Sequence, residues 1–193
     1  MSNYPTLVLD TCVLIPSRLR DFLLSLAAER LFRPVWNPTI LAELAYHERE
    51  RHKQQGLSSA EAARIADRLV GAMTRAFNDA QAGDLKTLRR LPHLPDPNDD
   101  HVLATAIKER ASAIVTDNVK DFPSHVVPPT VAVLTPADAT ARLARQHPEA
   151  ALRALTTMSA RLYRPPMSPH QILDYLVQHN GLTETANVLR PLM

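Results

Sequence analysis

Cysteine is almost absent: Cys12 stands alone among 193 residues. No disulfide can form within the chain, and a zinc site built on paired cysteines has no ligands. No apolar run is long enough, free of charge, to span a bilayer. The opening residues, MSNYPTLVLD, lack a basic region followed by an apolar stretch and a small-residue cleavage site. No secretory leader is therefore expected, and the cytoplasm is the expected compartment. Aromatic residues make up 5%, with no interleaving of rings and basic residues that would form a base-stacking platform. Neither sign of charge dominates, the formal net charge being +2. Lysine is scarce too, with 4 Lys against 18 Arg; the planar arginine fork suits phosphate, which permits a nucleic-acid partner without requiring one. No internal repeat or low-complexity tract is visible. What is present is a 45% hydrophobic fraction, enough for one full domain and a smaller appendage.

The most informative stretch runs from Leu91 to Phe122, LPHLPDPNDDHVLATAIKERASAIVTDNVKDF. Asn98 or Asp96 can cap a helix there, a side-chain oxygen accepting from a free N–H of the first turn. Val102 and Leu103 lie three and four residues beyond Asp99, so a face that buries them draws Asp99 inward. Asp100 is turned away by about one hundred degrees, which makes Asp99 the better converging carboxylate. Taken alone, an acid pair in a first helical turn need only complement the helix dipole. The helix is followed by a short strand, Ala113 to Thr116, and then by Asp117, Asn118 and Asp121.

The rest of the chain alternates in the same way. Thr6 to Leu9 is an apolar run of the kind found in strands buried on both faces, and it ends in Asp10. An amphipathic helix is expected over Arg18 to Leu31 and a short strand over Arg33 to Trp36. Asn37-Pro38 is a cap followed by proline at the first helical position, opening a helix to about His52 with Glu43 on the flank of its apolar face. The charged run His47 to Lys53 reads as a solvated helix face. Gly56 breaks the pattern, and Ser58 with Glu61 forms a capping box for a helix to about Ala82. Leu85, Leu88 and Leu91 suggest some burial in the connection that follows. A strand is expected over Val131 to Leu134, and Thr135-Pro136 repeats the cap-proline start. Beyond it lie helical segments joined by prolines and Gly181, with no acid cluster. The expected organisation is an α/β domain over residues 1–136, with a mainly parallel sheet between helical layers, and a helical extension over 137–193.

In such sheets ligands bind at the carboxyl ends of the strands, where Asp10 falls. Asp10, Glu43, Asp99 and one of Asp117 or Asp121 at one sheet edge would repel unless protonated or neutralised by a cation. All-oxygen ligation suits Mg²⁺ or Mn²⁺, an ion that can activate water and stabilise charge on a phosphodiester.

The series VLDTCVLI, ILAEL, DDHVLATAI and IVTDNVKDF resembles the four-part signature of the PIN-domain ribonucleases, particularly the VapC-type toxins of bacterial toxin–antitoxin systems, over about residues 6–135. The resemblance implies a three-layer PIN fold and metal-dependent hydrolysis of single-stranded RNA. By position it gives Asp10, Glu43 and Asp99 the roles of the first three family acids. The fourth falls to Asp117, Asn118 or Asp121, with Asp121 favoured and Asn118 as a polar contact. Asp10, Asp99, Asp121 and Asp117 would serve the metal, with Thr11, Thr116, Asn118 and Asp100 around them. Cys12 departs from the usual Asn or Ser and reads most simply as a small packing residue. Arg18, Arg20 and Lys120 are candidates for holding the RNA backbone, solvation being the plainer reading of each. The resemblance further implies a homodimer and an antitoxin bound in the groove of the 38–82 helices. Three rivals stand beside it. A haloacid dehalogenase phosphatase would need an aspartate at position 12. A structure-specific DNA nuclease of similar fold, and a non-catalytic PIN scaffold that binds a partner, are the other two.

Overall fold

The computed structural model describes residues 4–83, 85 and 93–193. Its centre is β1 (Thr6–Leu9), whose Val8 and Leu9 are fully buried. β2 (Arg33–Val35) lies on one side of it, and β3 (Ala113–Val115) and then β4 (Ala132–Leu134) on the other. The sheet order is β2-β1-β3-β4, every pairing parallel, with Val8 opposite both Val35 and Ile114. A strand with neighbours on both edges and helices on both faces has no polar side to present, which is why TLVL carries no alternation.

The helices are α1 (Thr11–Leu14), α2 (Ser17–Ala28), α3 (Pro38–Gln54), α4 (Ser59–Ala76), α5 (Asp100–Lys108), α6 (Pro136–Gln146), α7 (Pro148–Arg161), α8 (Pro169–Asn180) and α9 (Thr183–Leu189). α5 packs on β1 and β3, α2 on β2, and α6 on β4. Their starts follow the expected local chemistry. The Asn37 side chain accepts from Ile40 N at 2.9 Å, Ser58 and Glu61 close a capping box, and Thr135 accepts from Asp138 N at 3.1 Å. Gly181 ends α8 at φ +69, a left-handed turn that a side chain would resist.

Three expectations are corrected. α4 stops at Ala76, not near Ala82, because Asn78 and Asp79 turn the chain and Trp36 then takes up the backbone: Trp36 N donates to Ala80 O at 3.0 Å, and Ala82 N donates to Trp36 O at 2.8 Å. The charged run of α3 is not wholly a solvated face, since Glu48 is buried and paired with Arg20, Nη1 to Oε1 at 3.1 Å. The helix expected to begin at Asn98 or Asp96 starts as a 3₁₀ turn, Pro97–Asp99, capped by Asp96, whose side chain accepts from Asn98 N at 2.9 Å. Leu85 is half-buried; Leu88 and Leu91 lie outside the described residues.

The C-terminal helices share the core. Leu143, Leu155, Met158, Leu173 and Leu189 belong to the same buried cluster as Val8, Phe22 and Trp36. Among the described residues no helix is long and apolar enough to cross a membrane.

Candidate active site

The site begins where β1 and β3 end. Asp10, nearly buried, caps α1: its Oδ1 accepts from Thr11 N at 2.6 Å. Its Oδ2 accepts from the Thr116 hydroxyl at 2.7 Å and from the Cys12 thiol at 3.2 Å. Thr116, at the end of β3, also accepts from Asn118 N at 3.0 Å, and the Cys12 sulfur accepts from Asp117 N at 3.3 Å. These bonds stitch the two strand ends together around one carboxylate. Burial, and then the Asp10 charge, pushes the Cys12 thiol up to about 12, so it remains a neutral donor. Cys12 is therefore more than a packing residue: it makes a polar contact to the first acid.

Glu43 comes in from α3, where the cap at Asn37 fixes the helix. Its Oε2 accepts a short hydrogen bond from the Thr11 hydroxyl, and its Oε1 lies 3.3 Å from His101 Nε2. Asp99 stands at the start of α5. Its carboxyl is pushed up to about 6, first by partial burial and then by the negative charges of Asp10, Asp96, Asp121 and Glu43. Asp117 is also raised, by partial burial and then by Asp10. Asp121 closes the 3₁₀ turn Val119–Asp121 and is half-buried.

Asp100 does not join them. It turns back to the preceding segment, accepting from Leu94 N at 2.8 Å and meeting His93 Nδ1 at 2.8 Å. Partial burial works to raise it, but these bonds and the charges of His93 and His101 hold it below the usual carboxylate range. Arg20 is buried and bonded to Leu14 O and Glu48, so it is not free to hold a ligand. Lys120 is exposed and Arg18 half-exposed. The sequence reading passed over His101, and it read Asn37 only as a cap. The sole hint was the position of His101 directly after the Asp99–Asp100 pair.

The donor set is entirely carboxylate with hydroxyl neighbours, the chemistry of a hard divalent cation. Among the described residues no group of three His, Cys, Asp or Glu side chains is arranged to hold an ion directly.

The PIN-domain family model matches residues 6–120, a span that includes the whole approach to Asp10, Glu43 and Asp99. The chain belongs to the PIN-domain family. A second model, the VapC50 C-terminal domain, matches residues 135–191. One curated relative, named "Putative ribonuclease VapC50" in Mycobacterium tuberculosis (strain ATCC 25618 / H37Rv), is 38% identical over 79 residues. The alignment spans 40% of this chain and 47%, about half, of that protein. No solved structure matches. Within this PIN domain the four-stranded parallel sheet and its flanking helices form the expected three-layer architecture. The PIN match ends one residue short of Asp121.

Proposed function

We propose that this PIN-domain protein is a metal-dependent endoribonuclease acting on single-stranded RNA, the toxin of a toxin–antitoxin pair. The observation that carries the reading is the convergence of Asp10, Glu43, Asp99 and Asp121 at the carboxyl edge of a parallel sheet, with Asp99 raised to about 6 by burial and by its acidic neighbours. Carboxylates in that relation favour a cation between them. Asp10, Asp99 and Asp121, with Asp117 at the rim, would hold Mg²⁺ or Mn²⁺. When bound, such an ion lowers the pKa of water and stabilises charge on the phosphodiester.

The chain's own residues prepare the site. Asp10 is held by three donors and cannot swing away. Glu43 accepts from the Thr11 hydroxyl and lies 3.3 Å from His101 Nε2, which supports a role for its carboxylate in accepting a proton from attacking water. Arg18 and Lys120 would contact the RNA backbone. The relative's name supports the ribonuclease reading, and the second family match, over residues 135–191, extends the likeness through the C-terminal helices. A cytoplasmic location and a homodimer belong to the same proposal. The antitoxin is proposed to bind in the groove of the 38–82 helices, where α3 and α4 pack against each other.

The test is a substrate panel of labelled single-stranded RNA, duplex RNA and a DNA flap, each with Mg²⁺, Mn²⁺ or chelator. Cleavage of single-stranded RNA only when metal is present is expected. Cleavage confined to the flap would make this a structure-specific DNA nuclease. No cleavage of any substrate, with no divalent binding, would leave a partner-binding scaffold.

A further inference from the structure

Asn37 does two things at once. Its Oδ1 accepts from Ile40 N at 2.9 Å, and this cap fixes which way the amide points. The NH₂ must then face α5. There Nδ2 lies 2.8 Å from Thr105 Oγ1, 3.0 Å from His101 Nδ1 and 3.0 Å from His101 O. The Thr105 hydroxyl gives its hydrogen to His101 O at 2.8 Å, leaving a lone pair to accept from Asn37. Two amide hydrogens thus serve three acceptors by sharing, and Asn37 is completely buried, so water does not compete.

An amide nitrogen only donates, so Nδ1 of His101 faces it with a lone pair. In the neutral ring the hydrogen then sits on Nε2, the nitrogen 3.3 Å from Glu43 Oε1. The other Glu43 oxygen takes the Thr11 hydroxyl. Glu43 is held from the β1 end by the Thr11 hydroxyl and is approached from α5 by His101 Nε2 at 3.3 Å.

We infer that His101 is a positioning residue for Glu43 and that Asn37, the cap of α3, sets the tautomer that lets it donate. The consequence for catalysis rests on the nuclease reading above; the hydrogen bonds between Asn37 and His101 do not. The cap that starts α3 thereby also fixes the ring that faces the carboxylate of Glu43, displayed nearly two turns further along the same helix.

The test has two arms on the full chain. In the first, ¹⁵N spectra of the imidazoles are recorded at about pH 8, above the ordinary imidazole range. The expected His101 signature is a protonated Nε2 and a bare Nδ1. Asn37→Asp preserves an excellent cap but replaces the donor with an acceptor, so Nδ1 should gain a hydrogen. In the second arm, His101→Gln keeps a neutral donor near the Nε2 position and should retain RNA cleavage within a few-fold. His101→Leu should lower kcat by about ten- to hundredfold, the usual cost of removing such a supporting partner, with KM little changed. A wild-type ring protonated on Nδ1, an unmoved signature in Asn37→Asp, or equal kcat for His101→Leu and wild type would overturn the relay. If the wild type cleaves no RNA, the nuclease reading fails, and the spectra alone still decide the relay.

Discussion

At Asp99, charge and stability meet the proposed metal site. Well below pH 4 it is protonated in folded and unfolded chains alike, so it makes no difference to stability. As pH rises, the unfolded chain ionises first while the folded chain keeps its proton up to about 6, so stability falls across that window and the penalty persists above it. In chelator, Asp99→Asn should therefore melt higher than wild type above about pH 6, and the gap should close toward pH 4. Added Mn²⁺ should raise the wild-type melting temperature much more than that of the variant. An Asp99→Asn protein no more stable than wild type at neutral pH would contradict the convergence. Cys12 gives a second check. With its thiol pushed up to about 12, alkylation near pH 8 should run tens of times slower in the native chain than in the urea-unfolded one. Labelling at equal rates would mean that the thiol is not held against Asp10. Helical spacing set Asp100 apart from Asp99; in the structure Asp99 ends the 3₁₀ turn, and Asp100 is drawn back by Leu94 N and His93. The roles of Cys12 and His101 were not legible in the same way, since each depends on a partner distant in the chain: Asp117 for one, Asn37 and Glu43 for the other.

At the scale of elements, the α2–α3 contact depends on a buried ion pair. Arg20 Nη1 donates to Leu14 O at 2.7 Å and to Glu48 Oε1 at 3.1 Å, while Arg51 Nη2 reaches Glu48 Oε2 at 2.5 Å. Arg20 Nε and Arg51 Nε are buried without a hydrogen-bond partner, so the network is not fully satisfied. Glu48→Ala would strand a buried guanidinium and should cost about 3–5 kcal/mol in chemical denaturation. The double variant Arg20→Met/Glu48→Leu should recover most of that loss. A Glu48→Ala change near zero would show that the pair is not desolvated. Element starts were well marked in the sequence, because caps and prolines act locally: Asn37-Pro38, Ser58 with Glu61, and Thr135-Pro136 all open helices. Element ends and the inner side of a charged run were not. The end of α4 is set by Trp36, some forty residues earlier, and Glu48 is drawn inward by Arg20 across two helices.

For the whole molecule, the C-terminal helices behave as part of one body. α7 packs along α2, where Arg161 Nη2 donates to Ser25 Oγ at 2.6 Å and Arg153 pairs with Glu29 at 3.0 Å. α6 and α9 meet through a buried Thr140–Thr185 contact at 2.7 Å. We propose that a division at 136/137 separates two sequence modules but not two folding units. A chain ending at Thr135 should lose its cooperative thermal transition, whereas a fragment that melts as sharply and as high as the full chain would make the extension an independent appendage. The change of texture near residue 136 was visible in composition; the burial of apolar residues from both sides in one core was not, because packing between distant segments leaves no local pattern. The account as a whole stands on the acids at the sheet edge. The most direct measurement is the rate of single-stranded RNA cleavage by the full chain in Mg²⁺ or Mn²⁺, beside Asp10→Asn and Asp99→Asn. Metal-dependent cleavage that falls by about a thousandfold or more in both variants, each having lost a charge that stabilises the transition state, is the result predicted. Cleavage that persists in either variant, or that proceeds in chelator, would contradict it.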